Sequence, residues 1–521
     1  MSDPAEPAEP SEDASPADGW LPDGFSDDQR AAALRVAEAV AAAGVDLAAL
    51  TAEQPDGEAS SVMAVLGKAG SGKTHLLAWL VERLIASGAK QVVQDWEARR
   101  AKAKARVSFA VVAPTNKAAS VLRTRGVGAT TLHRIIYTPV YDPDYESLAQ
   151  WVADPKQHPK PTDVAGVTET MLERARAVFE QTKSVPAALA TIGLRGSEFI
   201  TGWKRREDRI SIALVDEASM LDAEQLSDLR EIFDVVCLFG DPAQLPPVGG
   251  GGKMVFEDLP ERALRRLSRV HRQAADNPIL DLAYALQQDI GFSEFEQRLR
   301  EAAARDDRIE VAARVDADLM ARAPVLVWRN ATRIRLIHAF RAAHGLSETE
   351  LAPGEPLICD GLELPAKKRN LRIDLEQAGL VKGAQAFWRG PGKKPGQAAL
   401  YVPGAPKPKF GASAIIQIER PDAEEPLILT AARQGAVFVH GAACTIHKAQ
   451  GSQWPTVQVF APDLFAAARS GREEAGAPLW RRLAYVAITR AEERLIWATR
   501  YALARPKEAL TAEDLEAGPL V

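Results

Sequence analysis

The chain has 521 residues, 46% of them apolar and 26% charged, with a formal net charge of −6. That length holds about three or four domains of roughly 150 residues, and the composition excludes a disordered or fibrous chain. A chain with no net positive charge is not a bulk polycation, so any nucleic-acid binding requires cations gathered in one groove.

Residues 1–20 are rich in Pro, Ala and Ser. They carry six acidic side chains and no Lys or Arg, which accounts for the whole net charge, and they read as a disordered tail. They show neither a basic leader region nor an apolar core segment. The Ala-rich stretch 31–50 is broken by Arg35, Glu38 and Asp46, so no membrane span is expected and the expected compartment is the cytoplasm. Three cysteines, Cys237, Cys359 and Cys444, lie far apart and form no CxxC pair, which argues against a zinc site or a disulfide framework.

Ser26 and Gln29 stand at capping-box spacing before Leu34, Val36, Ala37 and Val40, predicting a helix from Ser26. Short apolar strands then recur at Val62–Leu66, Val107–Val112, Ile210–Val215 and Val235–Phe239, separated by helical patterns. That alternation predicts an α/β fold, a parallel sheet covered by helices, with its ligand site at the carboxyl ends of the strands. Residues 134–208 interrupt the pattern with Pro-rich loops and the helical stretch TETMLERARAVFEQT, and read as an inserted subdomain. Tyr137, Tyr141, Trp151 and Trp203 are its scattered aromatics, for which core packing is the first reading. A second alternating region runs from Pro324 to the strand Arg494–Ala498, interrupted at about 346–435 by short strand-like runs and Pro/Gly/Lys-rich loops. The expected architecture is two similar cores, 21–260 and 261–521, each with an insertion, the second one small and β-rich.

Gly67–Thr74 reads GKAGSGKT, a full P-loop pattern between a strand and a helix with Leu76, Leu77, Leu80 and Leu84. Gly67, Gly70, Ser71 and Gly72 shape a loop whose backbone N–H groups wrap phosphates, with the helix N-terminus adding positive potential. Lys73 is expected on the β/γ-phosphates of ATP, and Thr74 on Mg²⁺. Asp216 and Glu217 follow the strand Ile210–Val215. A carboxylate leaving an apolar strand needs a partner; Mg²⁺ suits Asp216, and Glu217 is then placed to orient or deprotonate water.

The ordered series GKAGSGKT, APTNKAA (113–119), TLH (131–133), DEAS (216–219), GDPAQLPPV (240–248), HRQ (271–273), TIHKAQG (445–451) and YVAITRA (485–491) resembles the superfamily 1 helicases from about Gln29 to Trp497. The GDPAQLPPV and HKAQG forms resemble its RecD/Dda branch, superfamily 1B. The resemblance implies two RecA-like cores with a UvrD-like C-terminal half, and often an SH3-like barrel as the second insertion. It gives Gln29 the adenine, although a capping box with Ser26 also explains that residue. It makes Gln244 a γ-phosphate sensor, makes Arg272 and Arg490 arginine fingers from the second core, and sets Gly451 beside the nucleotide. Pro114, Thr115, Asn116, Lys117, Thr131, His133, Asn330, Thr445, His447, Lys448 and Gln450 become strand contacts, with Arg329 standing where Thr is common.

The implied activity is an ATP-dependent DNA helicase of 5′→3′ polarity, acting as a monomeric motor on single-stranded DNA and ss/ds junctions alongside replication or recombination proteins. A translocase that displaces proteins without unwinding would carry the same motifs, and an RNA substrate also stays open. The intact set Lys73, Thr74, Asp216, Glu217, Gln244, Arg272 and Arg490 argues against a degenerate binding scaffold.

Overall fold

The computed structural model describes residues 19–54, 61–93, 107–161, 164, 167–182, 185–192, 194, 200–206, 208–247, 252–269, 277–363, 375, 378–403, 405, 407–421, 426–430, 432 and 434–511. The acidic tail to residue 18 and the candidate finger Arg272 lie outside them.

Seven strands form the first core's sheet. Its order is Leu264–Leu267, Ser61–Gly67, Phe233–Gly240, Ile210–Val215, Ser108–Ala113 and Lys90–Gln91, with Ala129–Thr131 also paired to Ser108–Ala113. Every pairing is parallel. Such strands are buried on both faces, which is why they read as apolar runs. Side-chain alternation divides them. Met63, Val65, Phe109, Val111 and Leu214 face the helices Asp27–Ala41, Lys73–Ala86 and Asn116–Thr124. Ala64, Leu66, Ala110, Val112 and Val215 face Leu132–Ile136 and Ala223–Ile232. Leu264–Leu267 pairs with the P-loop strand, so the first sheet extends past the boundary at 260 drawn from the sequence. Its short LRRL run carries too little periodicity to assign it to either core.

The second sheet is also parallel, in the order Ile309–Ala312, Ala491–Ala498, Trp454–Phe460, Val325–Val327, Ala443–Thr445. Helices Pro278–Ala285, Phe292–Ala303, Ala461–Arg469 and Leu479–Ile488 cover one face, and Asn330–Ala343 covers the other. Asp463, fully buried, caps the last of these. It accepts the N–H groups of Trp328 (3.1 Å) and Arg329 (2.9 Å), the Thr332 hydroxyl (2.8 Å) and Arg329 Nε (2.9 Å). This explains the unusual arginine, whose guanidinium braces a helix start.

Between Ile136 and Ile210, the antiparallel pair Tyr137–Tyr141 and Ile200–Arg205 carries the helices Pro143–Ala153, Glu169–Thr182 and Val185–Ala190 around a separate core that includes Tyr145, Leu148, Leu172 and Leu189. The Tyr137 hydroxyl and Arg205 both bond Asp228, tying this stem to the first core. Trp151 packs under the Lys160 ammonium, 5.7 Å from its ring centroid. The side chains of Tyr141 and Trp203 lie outside the described residues.

The second insertion is a small β-barrel. Pro356–Glu363 pairs with Gln385–Pro391 and Gly435–His440, and Gln397–Tyr401 joins Gln385–Pro391 to Lys409–Ile418. A parallel pairing of Lys409–Ile418 with Gly435–His440 closes the ring. One joint to the second core is the buried Glu355, which accepts from Arg341 (2.8 Å) and from His440 Nε2 (3.1 Å). The Ala442 N–H donates to His440 Nδ1, so Nε2 carries the proton. Among the described residues, no helix is long and apolar enough to cross a membrane.

Candidate functional site

The P-loop leaves the strand Ser61–Gly67 and enters the helix Lys73–Ala86 through Gly70 (φ 79°) and Gly72 (φ 80°), a left-handed path that favours glycine. A Cβ on Gly67 would lie 2.3 Å from Ser71 Oγ. Lys73 Nζ donates to the carbonyls of Gly67 and Lys68, the latter at 2.9 Å. Ser71 Oγ is buried with no hydrogen-bond partner, and Thr74 stands half-buried in the first helical turn.

Asp216 follows its strand directly, its N–H bonded to Val112 O at 2.9 Å. Burial, and then the neighbouring Glu217, push its carboxyl up to about 7, against the pull of Lys73 and Arg125. Glu217 has φ 53°. A left-handed non-glycine residue stores backbone strain, which the surrounding loop must hold. The parts fit a nucleotide with a divalent metal. The orphaned Ser71 hydroxyl and the P-loop N–H groups suit phosphate, and the Thr74 hydroxyl and the destabilised Asp216 carboxylate suit a cation.

Gln29 closes the capping box expected with Ser26. Its Oε1 accepts the Ser26 N–H (3.1 Å), and its Nε2 reaches the Gly72 carbonyl at 3.5 Å, so the cap also presents the amide to the P-loop. Gln244 is buried, with Oε1 3.4 Å from the Ser219 hydroxyl. Arg490 is buried and donates to Val486 O, Ser452 O and Thr489 Oγ1, each at 3.1 Å. Burial lowers its pKa, and Glu217 is the foremost charge opposing that shift, which places guanidinium and carboxylate in electrostatic reach.

A cleft of about 370 Å³ brings together Pro114, Thr115, Asn116 and Lys117 of the first core, His447, Lys448 and Gln450 of the second, and Asp360, Lys382 and Gly383 of the barrel. Thr115 caps the helix Asn116–Thr124, accepting from Ala118 N (3.1 Å), and Thr445 caps Ile446–Ala449. Burial lowers the pKa of Lys117, with Glu492 opposing, and burial also lowers that of His447. Gly451 faces this side. A Cβ there would lie 3.6 Å from Thr115 Oγ1 and from Ala118.

Four strand-contact candidates fall outside the cleft lining: the capping Thr445, Thr131, His133 and Asn330. Thr131 is buried at a helix start, His133 packs on Tyr137 with centroids 4.8 Å apart, and Asn330 accepts from Arg333 Nε (2.8 Å). Sequence reasoning missed Asp360, Lys382 and Arg333 at the cleft. It also missed Asp28, whose carboxylate holds the N–H groups of Ser268 (2.6 Å) and Arg269 (2.8 Å). The Pro356–Glu363 strand has a register shift between Cys359 and Gly361, which leaves Asp360 the extra residue. Bulges re-aim a side chain in this way, and no composition signal announces it.

The AAA domain family matches residues 52–312, and the UvrD-like helicase C-terminal domain matches residues 440–497. No curated protein matches the chain. Similar solved structures include two coordinating Pif1 helicases at forked dsDNA (15% identity, 91% of this chain and 92% of that one, TM-score 0.44). Others are Pif1 helicase from Candida albicans (14%, 95% and 98%, TM-score 0.43) and Bacteroides Pif1 in complex with ADP-AlF3 and ssDNA (15%, 88% and 91%, TM-score 0.42). With a matched AAA domain over half its length and a UvrD-like helicase domain behind it, this chain belongs to the AAA-domain P-loop proteins and is an ATP-hydrolysing helicase.

Proposed function

We propose that the chain is a monomeric motor that moves 5′→3′ along single-stranded DNA and separates duplex at ss/ds junctions, hydrolysing ATP with Mg²⁺. One observation carries the link between hydrolysis and strand. The segment 445–452 lines the cleft through His447 and Lys448, while Gln450 Nε2 reaches Leu245 O (3.4 Å) and Ser452 O accepts Arg490 (3.1 Å). A strand phosphate drawn to Lys448 therefore acts on the loop that carries Gln244 and on the finger.

In this reading Gln29 selects adenine, and Lys73 neutralises the β/γ-phosphates. Thr74 and Asp216 hold the metal, whose charge offsets that developing on the phosphoryl oxygens. Glu217 orients water, and Gln244 senses the γ-phosphate. Arg490 and Arg272 stabilise the transition state once the second core closes. The helix start at Thr115–Lys117 offers N–H groups to backbone phosphate, so binding tolerates any sequence. Polarity rests on the RecD/Dda-like form of GDPAQLPPV and HKAQG.

ATP turnover with and without a single-stranded oligodeoxynucleotide tests the link. Strand-stimulated turnover is expected, with a weaker response to the matching oligoribonucleotide. Turnover indifferent to both would contradict the proposed coupling.

A further inference from the structure

Two tyrosines of the second core grip one residue of the P-loop. Ala69, near the apex of GKAGSGKT, donates its N–H to the Tyr485 hydroxyl (3.0 Å) and accepts the Tyr284 hydroxyl at its carbonyl (2.6 Å). Tyr485 donates in turn to Asp241 Oδ2 (2.6 Å), in the GDPAQLPPV loop. The Lys68 ammonium lies 4.6 Å from the Tyr284 ring centroid. Tyr284 comes from the helix Pro278–Ala285, and Tyr485 from Leu479–Ile488.

Packing alone does not explain the Tyr485 hydroxyl. The ring sits in the second core's apolar cluster, where Phe would fill the same space without bringing a polar group to be buried. The hydroxyl instead reaches out of that core and bonds two loops of the other one, accepting from one and donating to the other. Burial and Asp241 raise its pKa well above 10, so it stays a donor throughout the physiological range. It also precedes Arg490 by five residues, and Arg490 follows directly on the C-cap Thr489 of the Tyr485 helix. A helix rises about 1.5 Å per residue, so a movement that delivers Arg490 carries Tyr485 with it.

P-loop N–H groups are the phosphate cradle. A peptide held at both its N–H and its C=O by the opposite core has its orientation set by that core. We propose that Tyr485, assisted by Tyr284, is a positioning residue for ATP hydrolysis, setting the P-loop apex and the Asp241 loop together as the second core moves. The nucleotide site then senses closure through its own cradle as well as through the fingers.

The test is steady-state kinetics of Tyr485→Phe, Tyr284→Phe and the double variant, together with their thermal unfolding and fluorescent-ADP affinity. Tyr485→Phe is expected to lower kcat about tenfold, while the ATP KM and the ADP affinity move less than about threefold. Tyr284→Phe, at a half-buried position, should show a smaller loss of the same kind. The double variant should fall no more than about threefold below Tyr485→Phe, because both phenols hold one peptide. Parent-like kcat in both single variants would overturn the proposal, as would losses that merely follow the folded fraction. If Tyr485→Phe does not fold, Tyr284→Phe decides: a fall in kcat at unchanged KM supports the proposal, and an unchanged kcat overturns it. Repeating the kinetics with a single-stranded oligodeoxynucleotide rests on the proposed strand-driven cycle. Parent turnover with and without oligodeoxynucleotide decides that reading separately, since the kcat comparison also stands on basal turnover.

Discussion

Arg482, on the second core's helix Leu479–Ile488, donates 2.6 Å to the carbonyl oxygen of Gln244 in the first core. The same guanidinium reaches Pro242 O (2.8 Å), Glu474 O (2.6 Å) and Ala475 O. A planar fork with five donors suits four carbonyls in a way that an ammonium does not. Arg482→Ala should therefore loosen the GDPAQLPPV loop and cut strand-stimulated turnover by about tenfold or more, each charge-assisted bond being worth ~1.5–3 kcal/mol. Arg482→Lys should recover little of it. Steady-state turnover at saturating oligodeoxynucleotide reads the effect, and parent-like stimulation in Arg482→Lys would refute the fork argument.

Lys73→Ala should abolish ATP turnover and leave the fold in place. Among the described residues, the ammonium hydrogen-bonds the loop carbonyls of Gly67 and Lys68 and no other element, so its loss removes no tertiary tie seen there. Turnover assays paired with thermal unfolding check both halves. Hydrolysis at the parent rate would contradict the assignment of the nucleotide site.

Arg490→Ala should lower kcat by roughly 10³-fold if the guanidinium meets the transferring phosphoryl group. Its present bonds to Val486 O, Ser452 O and Thr489 Oγ1 hold it buried rather than out in solvent. A loss under tenfold would remove it from the fingers.

How far the sequence could be read depended on the range of the interactions. The P-loop, Asp216 and the apolar strands were legible because each signal is local, in the form of fixed spacing, turn glycines or an unbroken apolar run. Gln29 carried two readings, and the geometry allows both, since capping Ser26 leaves the amide nitrogen free to approach Gly72. The residues that escaped notice act across the interface between the cores. Tyr284 bonds Ala69 and Arg482 bonds Gln244, so their partners are backbone atoms some two hundred positions away that have no side-chain signature. Asp360 was hidden for another reason, because only a strand bulge directs it to the cleft.

Asp360→Asn should tighten strand binding. The carboxylate sits 3.7 Å from Lys448 Nζ and 4.0 Å from Lys382 Nζ, occupying cations that a phosphate would use. These pairs are partly exposed, so the gain should be modest, about threefold at low salt, and should shrink as salt rises. Fluorescence anisotropy over a salt series measures it, and weaker binding by the variant would show that Asp360 contacts the strand directly.

Asp463→Ala should destabilise the second core by about 3 kcal/mol, because the buried carboxylate caps a helix and its removal strands two N–H groups and a hydroxyl. Asp463→Asn should cost less, since it keeps an acceptor. Denaturant midpoints compare the two, and equal midpoints for Ala and parent would contradict the capping role.

The most direct test of the motor itself is ATP-driven strand separation on two matched partial duplexes, one with a 5′ single-stranded tail and one with a 3′ tail, with Lys73→Ala as control. The expected result is opening of the 5′-tailed duplex alone, lost in the control. Opening of the 3′-tailed duplex alone would contradict the polarity, and strand-stimulated hydrolysis that opens neither duplex would contradict unwinding and leave a translocase.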